Sequence, residues 1–194
     1  MKRTYLSLLF LCLTFTFIQA NALIDSTDLL ICCYTENGIL VSDISYETIP
    51  PSNIVIDDCF DLTDVEYPIT VTPSKDNNHL NGVSTFDLIL MMQHILGVKE
   101  LDSPYKMIAA DVNNDGKITT VDLIQTRQLI LQVIPTLLDN TSWRFIPADY
   151  QFPDPMNPWG SEFPEYSYEL EIPVSRFDYI AVKIGDVNAS AIPE

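Results

Sequence analysis

The stretch that decides the reading of this chain is Asp111-Val112-Asn113-Asn114-Asp115-Gly116-Lys117-Ile118-Thr119-Thr120-Val121-Asp122. Oxygen-bearing side chains stand at positions 1, 3 and 5 of this twelve-residue run: Asp111, Asn113 and Asp115. Gly116 falls at position 6, where such a loop turns sharply. Lys117 at position 7 offers its backbone carbonyl, Thr119 at position 9 can act through water, and Asp122 at position 12 closes the shell. Calcium is a hard ion that takes six to eight oxygens in flexible geometry, and alternate residues of a tight loop supply them. A blander reading competes for part of the motif. Thr119-x-x-Asp122 is also a helix capping box. Capping accounts for those two residues and not for Asp111, Asn113, Asp115 and Gly116 arriving in register. The spacing therefore predicts one bound Ca2+ at this loop.

The run is half of an internal repeat. Ser84 to Val98 (STFDLILMMQHILGV) aligns without a gap on Thr119 to Val133 (TTVDLIQTRQLILQV), with eight of fifteen positions identical at an offset of 35. One supersecondary unit used twice explains this best. Leu123, Ile124, Ile130, Leu131 and Ile134 follow a helical stripe. The first copy is apolar almost all round, which predicts the deeper burial of the two. Gly97 is expected to stop the first helix and Pro135 the second.

Ahead of the first helix the ligand pattern is degenerate. Counting back from Asp87 puts Asp76 at position 1 and Asn78 at position 3, but Leu80 at position 5 cannot ligate. One deleted residue restores Asn81 and Gly82 to positions 5 and 6. Two readings stay open: a hybrid loop using Asp76, Asn78, Asn81 and Asp87 for a second Ca2+, or a vestigial loop held by Asn turns and the Ser84-x-x-Asp87 capping box.

The repeat resembles a type I dockerin, two calcium-loop-plus-helix units without the entering helix of a full EF-hand. Asp replaces the Glu that a sensor EF-hand usually carries at position 12. Beyond DVNNDGKITTVDL, the strings NHLNGVSTFDL, LDSPYKMIAADVNNDG, SWRF and VKIGDVN are similar to a module near the ends of large secreted modular proteins of environmental bacteria. The resemblance spans roughly Tyr67 to Asn188. It implies protein–protein docking to a cohesin-like partner through the helix faces, with hydroxyl residues at loop positions 10 and 11 contributing. Those positions hold Thr85 and Phe86 in one copy and Thr120 and Val121 in the other, so position 11 is apolar in both.

The flanks read differently. Lys2 and Arg3, the apolar run Leu6 to Ile18 and Ala20-Asn21-Ala22 make residues 1–22 an expected signal peptide, with a run too short for a membrane span. The mature chain then has no membrane span and is expected outside the cell or on its surface. Residues 23–73 form an expected β-rich segment, resembling the end of a β-sandwich. Its strands are Leu29 to Tyr34, a hairpin at Glu36-Asn37-Gly38 leading to Ile39 to Val41, Ile54 to Ile56, and Tyr67 to Thr72. In an oxidising compartment Cys59 is expected to pair with Cys32 or Cys33, leaving one thiol over. A zinc site is short of nearby ligands, because His79 and His94 lie outside this segment. Residues 74–140 hold the repeat pair. Residues 141–194 are rich in Pro and aromatics, with strands expected at Tyr168 to Ile172 and Tyr179 to Ile184 and an ordered loop from Pro147 to Pro164. These aromatics are expected to pin the tail to the core rather than to stack on sugars.

Loss of the signal would take the formal net charge from −17 to −19, a surface that repels nucleic acid and anionic membranes and suits a divalent cation. The fold class expected is α+β: a short β segment, a two-helix calcium core and a tail that wraps back. The leading function is calcium-stabilised docking or extracellular assembly. The alternatives are a calcium-rigidified spacer of an adhesive surface protein and a non-catalytic accessory of a polysaccharide-degrading system. No Ser/His/Asp set stands out, and most well-placed acids are assigned to calcium, so no catalytic residues are expected.

Overall fold

The computed structural model describes residues 30–52, 55–56, 58–63, 65–160, 168–171 and 176–193. In chain order the elements are strands β1 (Leu30–Tyr34), β2 (Ser45–Ile49), β3 (Val55–Ile56), β4 (Cys59–Asp61) and β5 (Ile69–Ser74). Helices α1 (Thr85–Ile95), α2 (Pro104–Ala110) and α3 (Thr120–Ile130) follow. Strands β6 (Trp143–Pro147), β7 (Tyr168–Leu170) and β8 (Arg176–Lys183) close the series. The mixed α and β content fits the expected class.

A five-stranded sheet runs β3-β4-β1-β8-β6, and a three-stranded sheet runs β2-β5-β7. β8 lies parallel to β1 and antiparallel to β6. Its sequence RFDYIAVK explains the position. Phe177, Tyr179 and Ala181 enter a core shared with Ile69, Val71 and Leu170 of the small sheet, while Ile180, Val182 and Ile184 turn to a second core lined by the helices. A strand buried on both faces needs apolar residues at both parities, and successive side chains supply them. The large sheet is thus the middle layer between the small sheet and the helices. The tail does more than wrap back, since β8 sits inside the sheet. Residues 172 and 161–164 of the expected tail strand and loop lie outside the described residues.

Four elements were not anticipated by pattern: β2, β4, β6 and α2. Helix α2 begins with the Ser103 hydroxyl accepting from the Tyr105 amide and Pro104 in the first turn, a start signal in its own right. Its Met107, Ile108, Ala109 and Ala110 are all buried, and it delivers the chain directly into Asp111. The expected hairpin after β1 is reduced to a turn with one bridge, Tyr34 to Leu40.

The β1–β4 register pairs Ile31 with Phe60. One step further brings Cys32 opposite Cys59, and these two form the disulfide. Among the described residues Cys33 is left as the free thiol, fully buried. Burial pushes its pKa up to about 12, against the lowering effect of the Tyr46 hydroxyl beside it.

Both repeat helices start with complete capping boxes, at Ser84/Asp87 and Thr119/Asp122. They also end alike. Gly97 takes φ +65° after α1, and Gln132 takes φ +54° after α3. Val98 N donates to Gln93 O, as Val133 N does to Gln128 O. The second helix therefore stops at a left-handed Gln132 before Pro135 is reached. Nor is α1 the more deeply buried helix. Phe86, Ile89, Leu96 and Val98 are exposed, as are their equivalents Val121, Ile124, Leu131 and Val133. The two copies pack against one another, and of the apolar residues that α1 carries where α3 has Gln125, Thr126 and Arg127, Met91 is buried, Leu90 half-buried and Met92 exposed.

Candidate calcium loops

Asp111 to Asp122 folds as one tight loop between α2 and α3. Asp111 and Asp122 are wholly buried. Asp111 accepts the amides of Asp115 and Gly116 on its two oxygens, both at 3.0 Å. Asp122 Oδ1 accepts the Val112 amide at 2.9 Å and the Asn113 amide at 3.1 Å. Its Oδ2 accepts the Thr119 amide at 2.8 Å and hydroxyl at 3.3 Å. Asn113 Nδ2 donates to Asp115 Oδ2. Asn114 and Gly116 adopt φ of +57° and +77°, which lets the chain turn inside five residues.

Burial pushes the Asp111 carboxyl up to about 6. The amides of Gly116 and Asp115 oppose that shift, and the charges of Asp122 and Asp115 add to it. The two buried acids Asp111 and Asp122, with Asp115 on the exposed side of the same loop, repel each other, and a divalent cation bound there would reverse that balance. Among the described residues no set of three or more His, Cys, Asp or Glu side chains already converges as a metal cluster. The donors that fit calcium here are mixed: Asp111, Asp115 and Asp122 carboxylates, the Asn113 amide oxygen and the Lys117 carbonyl. That composition suits a hard, flexible ion. Thr119 is engaged with the Val121 amide and Asp122, as the capping reading requires.

Two supports were missed from sequence. Arg144, 2% exposed on β6, donates from Nη1 to Asn114 Oδ1 at 2.9 Å. Asn140 Nδ2 donates to the Asp111 carbonyl at 3.0 Å. SWRF was legible as a motif, but a pattern in one strand does not say which distant loop it braces.

The structure does not assemble Asp76, Asn78, Asn81 and Asp87 into a hybrid loop. Asp76 Oδ1 accepts the Ser142 amide at 2.7 Å and lies 3.3 Å from His79 Nε2. Asn78 turns the chain at φ +46°, and its carbonyl accepts the Asn81 amide. Asn81 exchanges two hydrogen bonds with the backbone of Ile192. Asp87, wholly buried, accepts the Val187 and Asn188 amides on Oδ1 at 2.9 and 3.1 Å. The physical reason is the missing position-5 oxygen. With Leu80 there, the short 76–82 segment cannot wrap an ion, and Asp87 finds its amides on the C-terminal segment.

Residues 74–131 match the family model of the dockerin type I domain, which covers the repeat pair, its connecting helix and the contiguous loop. This segment is dockerin-like, as the repeat itself indicated. Dockerin domains are non-catalytic modules of protein–protein docking, found in extracellular and cell-surface proteins, and type I domains typically bind calcium. Neither the curated proteins nor the solved structures yield a match to this chain. Among the described residues no helix is long and apolar enough to cross a membrane.

Proposed function

We propose that this chain is a secreted docking module whose dockerin-like core is set by calcium at Asp111, Asn113, Asp115, Lys117 and Asp122. The observation that carries the reading is the pair of wholly buried carboxylates, Asp111 and Asp122, closing one loop at the start of α3. Asp122 joins the ion to the first turn of that helix, so occupancy fixes the direction of α3 relative to its loop.

The face offered to a partner is the exposed apolar stripe. On α3 it comprises Val121, Ile124 and Leu131, with exposed Arg127 among them. On α1 the equivalents are Phe86, Ile89 and Leu96, with Met92 in the place of Arg127. Exposed apolar side chains repeated at matching positions on two helices favour a binding surface over a solvated spacer. Arg127 gives the α3 face a positive charge suited to a carboxylate on a cohesin-like partner, although a lone exposed ion pair contributes only about 0–1 kcal/mol.

The test is partner capture from the native secretome by wild type, Ile124→Asp and Arg127→Glu, with calcium and with chelator. A partner held by wild type in calcium, and lost with chelator and with Ile124→Asp, supports the reading. Equal retention in all conditions places the interface elsewhere.

A further inference from the structure

The C-terminal segment Asp186–Ala191 reproduces, against the other helix, the four amide-to-carboxylate hydrogen bonds that Asp111 and Asp122 make in the first half of the contiguous loop. Asp186 Oδ1 accepts the Ser190 amide at 3.0 Å and Oδ2 the Ala191 amide at 2.7 Å. These are the i+4 and i+5 amides, as for Asp111. Asp87 holds the Val187 and Asn188 amides at 2.9 and 3.1 Å, the same distances at which Asp122 holds those of Val112 and Asn113. Ala189 has φ +55° where Asn114 has +57°. DVNASA therefore lies where DVNNDG would precede the first helix, although Val187 and Asp87 are 100 residues apart in sequence.

The join is made without a peptide bond. In the contiguous loop Gly116 is bonded to Lys117. In the other, Ala191 meets Gly82, whose absent Cβ would lie 2.6 Å from both Ala191 Cα and N. The Ser190 hydroxyl donates to the Gly82 carbonyl at 3.1 Å, so positions 5 and 7 of the loop face each other across the break.

A separate observation points to a ligand. The Asn188 side-chain oxygen, at the place Asn113 holds in the contiguous loop, is sealed from solvent and has no hydrogen-bond partner. Buried polar oxygens are rarely left so. Asp186 and Asp87, 4% and 0% exposed, hold adjoining amides of the same short segment. Two buried acids and an unsatisfied carbonyl-type oxygen want a cation.

We propose that Asp186, Asn188, Ser190, the Gly82 carbonyl and Asp87 form a second divalent-cation site, split between two distant chain segments, in which calcium clasps the C-terminal segment onto α1. The inference extends the calcium reading of residues 111–122, and single-site variants let either fail alone.

Calcium titration of the full mature chain, by calorimetry with native mass spectrometry for stoichiometry, tests it. Wild type is expected to bind two ions. Asn188→Ala and the Asn188→Ala/Ser190→Ala double variant are expected to bind one, retaining the contiguous site. Asp115→Ala is expected to lose the other ion and keep this one, and Asp76→Ala to keep both. Far-UV circular dichroism confirms that each variant is folded. If a variant at 188 is unfolded, Ser190→Ala alone, at an exposed position, must weaken one of two sites at least about tenfold. Two ions retained at wild-type affinity in folded 188/190 variants would overturn the proposal. So would a wild type that binds one ion, lost in Asp115→Ala. Two ions retained in Asp115→Ala would instead remove the contiguous-loop reading and leave this one standing.

Discussion

The two loops that precede α1 and α3 share one hydrogen-bond frame and differ in how the chain supplies it. Asp111–Asp122 draws every group from twelve consecutive residues. The loop at Asp87 borrows its first half from Asp186–Ala191. A contiguous loop limits its own closing entropy, because few residues lie between its ends. A split loop depends on the rest of the fold to bring its halves together. Here β8 does so: it runs through the large sheet and ends at Lys183, and Ile184 N and Gly185 N are then tied to Ser142 O and Ala109 O. The lesson is that a repeat need not be complete in sequence to be complete in space.

The largest expected effect comes at the glycines. At Gly82 a methyl group meets the Ala191 backbone, whereas at Gly116 the nearest neighbour is Trp159 at 3.7 Å, an ordinary contact. Both positions have φ near +77°, with an expected penalty of about 1–2 kcal/mol for any L side chain. Gly82→Ala should lose roughly a further 1–3 kcal/mol through overpacking. Chemical denaturation should therefore show Gly82→Ala well below Gly116→Ala in stability. Equal losses would mean that Ala191 is not seated on Gly82.

A second contrast separates ligand from scaffold. Asp115→Ala should weaken calcium binding at least about tenfold, or 1.4 kcal/mol, with little change in the metal-free melt, because Asp115 is exposed. Asp76→Ala should do the reverse. It strands the buried Ser142 amide, costing about 1–3 kcal/mol of stability, and leaves calcium affinity unchanged. Similar calcium losses in both variants would restore Asp76 to a ligand role.

The smallest effect tests how closely the two repeats match at their far ends. Gln132 occupies a left-handed position that Gly97 fills in the first copy. Gln132→Gly should stabilise by up to about 1 kcal/mol, and Gly97→Gln should destabilise by a similar amount. Thermal melts of the pair would show it. No gain at 132 would mean that the Gln132 side chain makes contacts that offset its backbone strain.

What the sequence made legible follows the range of the forces involved. The 111–122 loop, the two capping boxes and the helices behind them are local patterns, written within a dozen residues, and each could be read directly. β1 and the far end of β8 were legible as apolar runs. Their parallel pairing was not, because nothing in either run names a partner more than a hundred residues away. The disulfide could be narrowed to Cys59 with one of two neighbours, and only the β1–β4 register distinguishes Cys32 from Cys33. VKIGDVN and DVNNDG share three letters, and that was the available signal for the split loop. The offset of 35 between the helices pointed instead to residues 76–82, which the fold uses to hold Ser142 and Ile192. The apolar richness of α1 does not measure its burial, because composition alone does not separate the core position Met91 from the exposed Phe86, Ile89 and Met92.

The most direct test is the thermal melt of residues 23–194 in calcium and in chelator. A ligand at about a hundred times its dissociation constant stabilises the native state by about 2.7 kcal/mol per site, which for a chain of this size is roughly 5–10 °C in Tm. A rise of at least that size is expected with calcium, reduced in Asp115→Ala. Superimposable melts in calcium and chelator would contradict it.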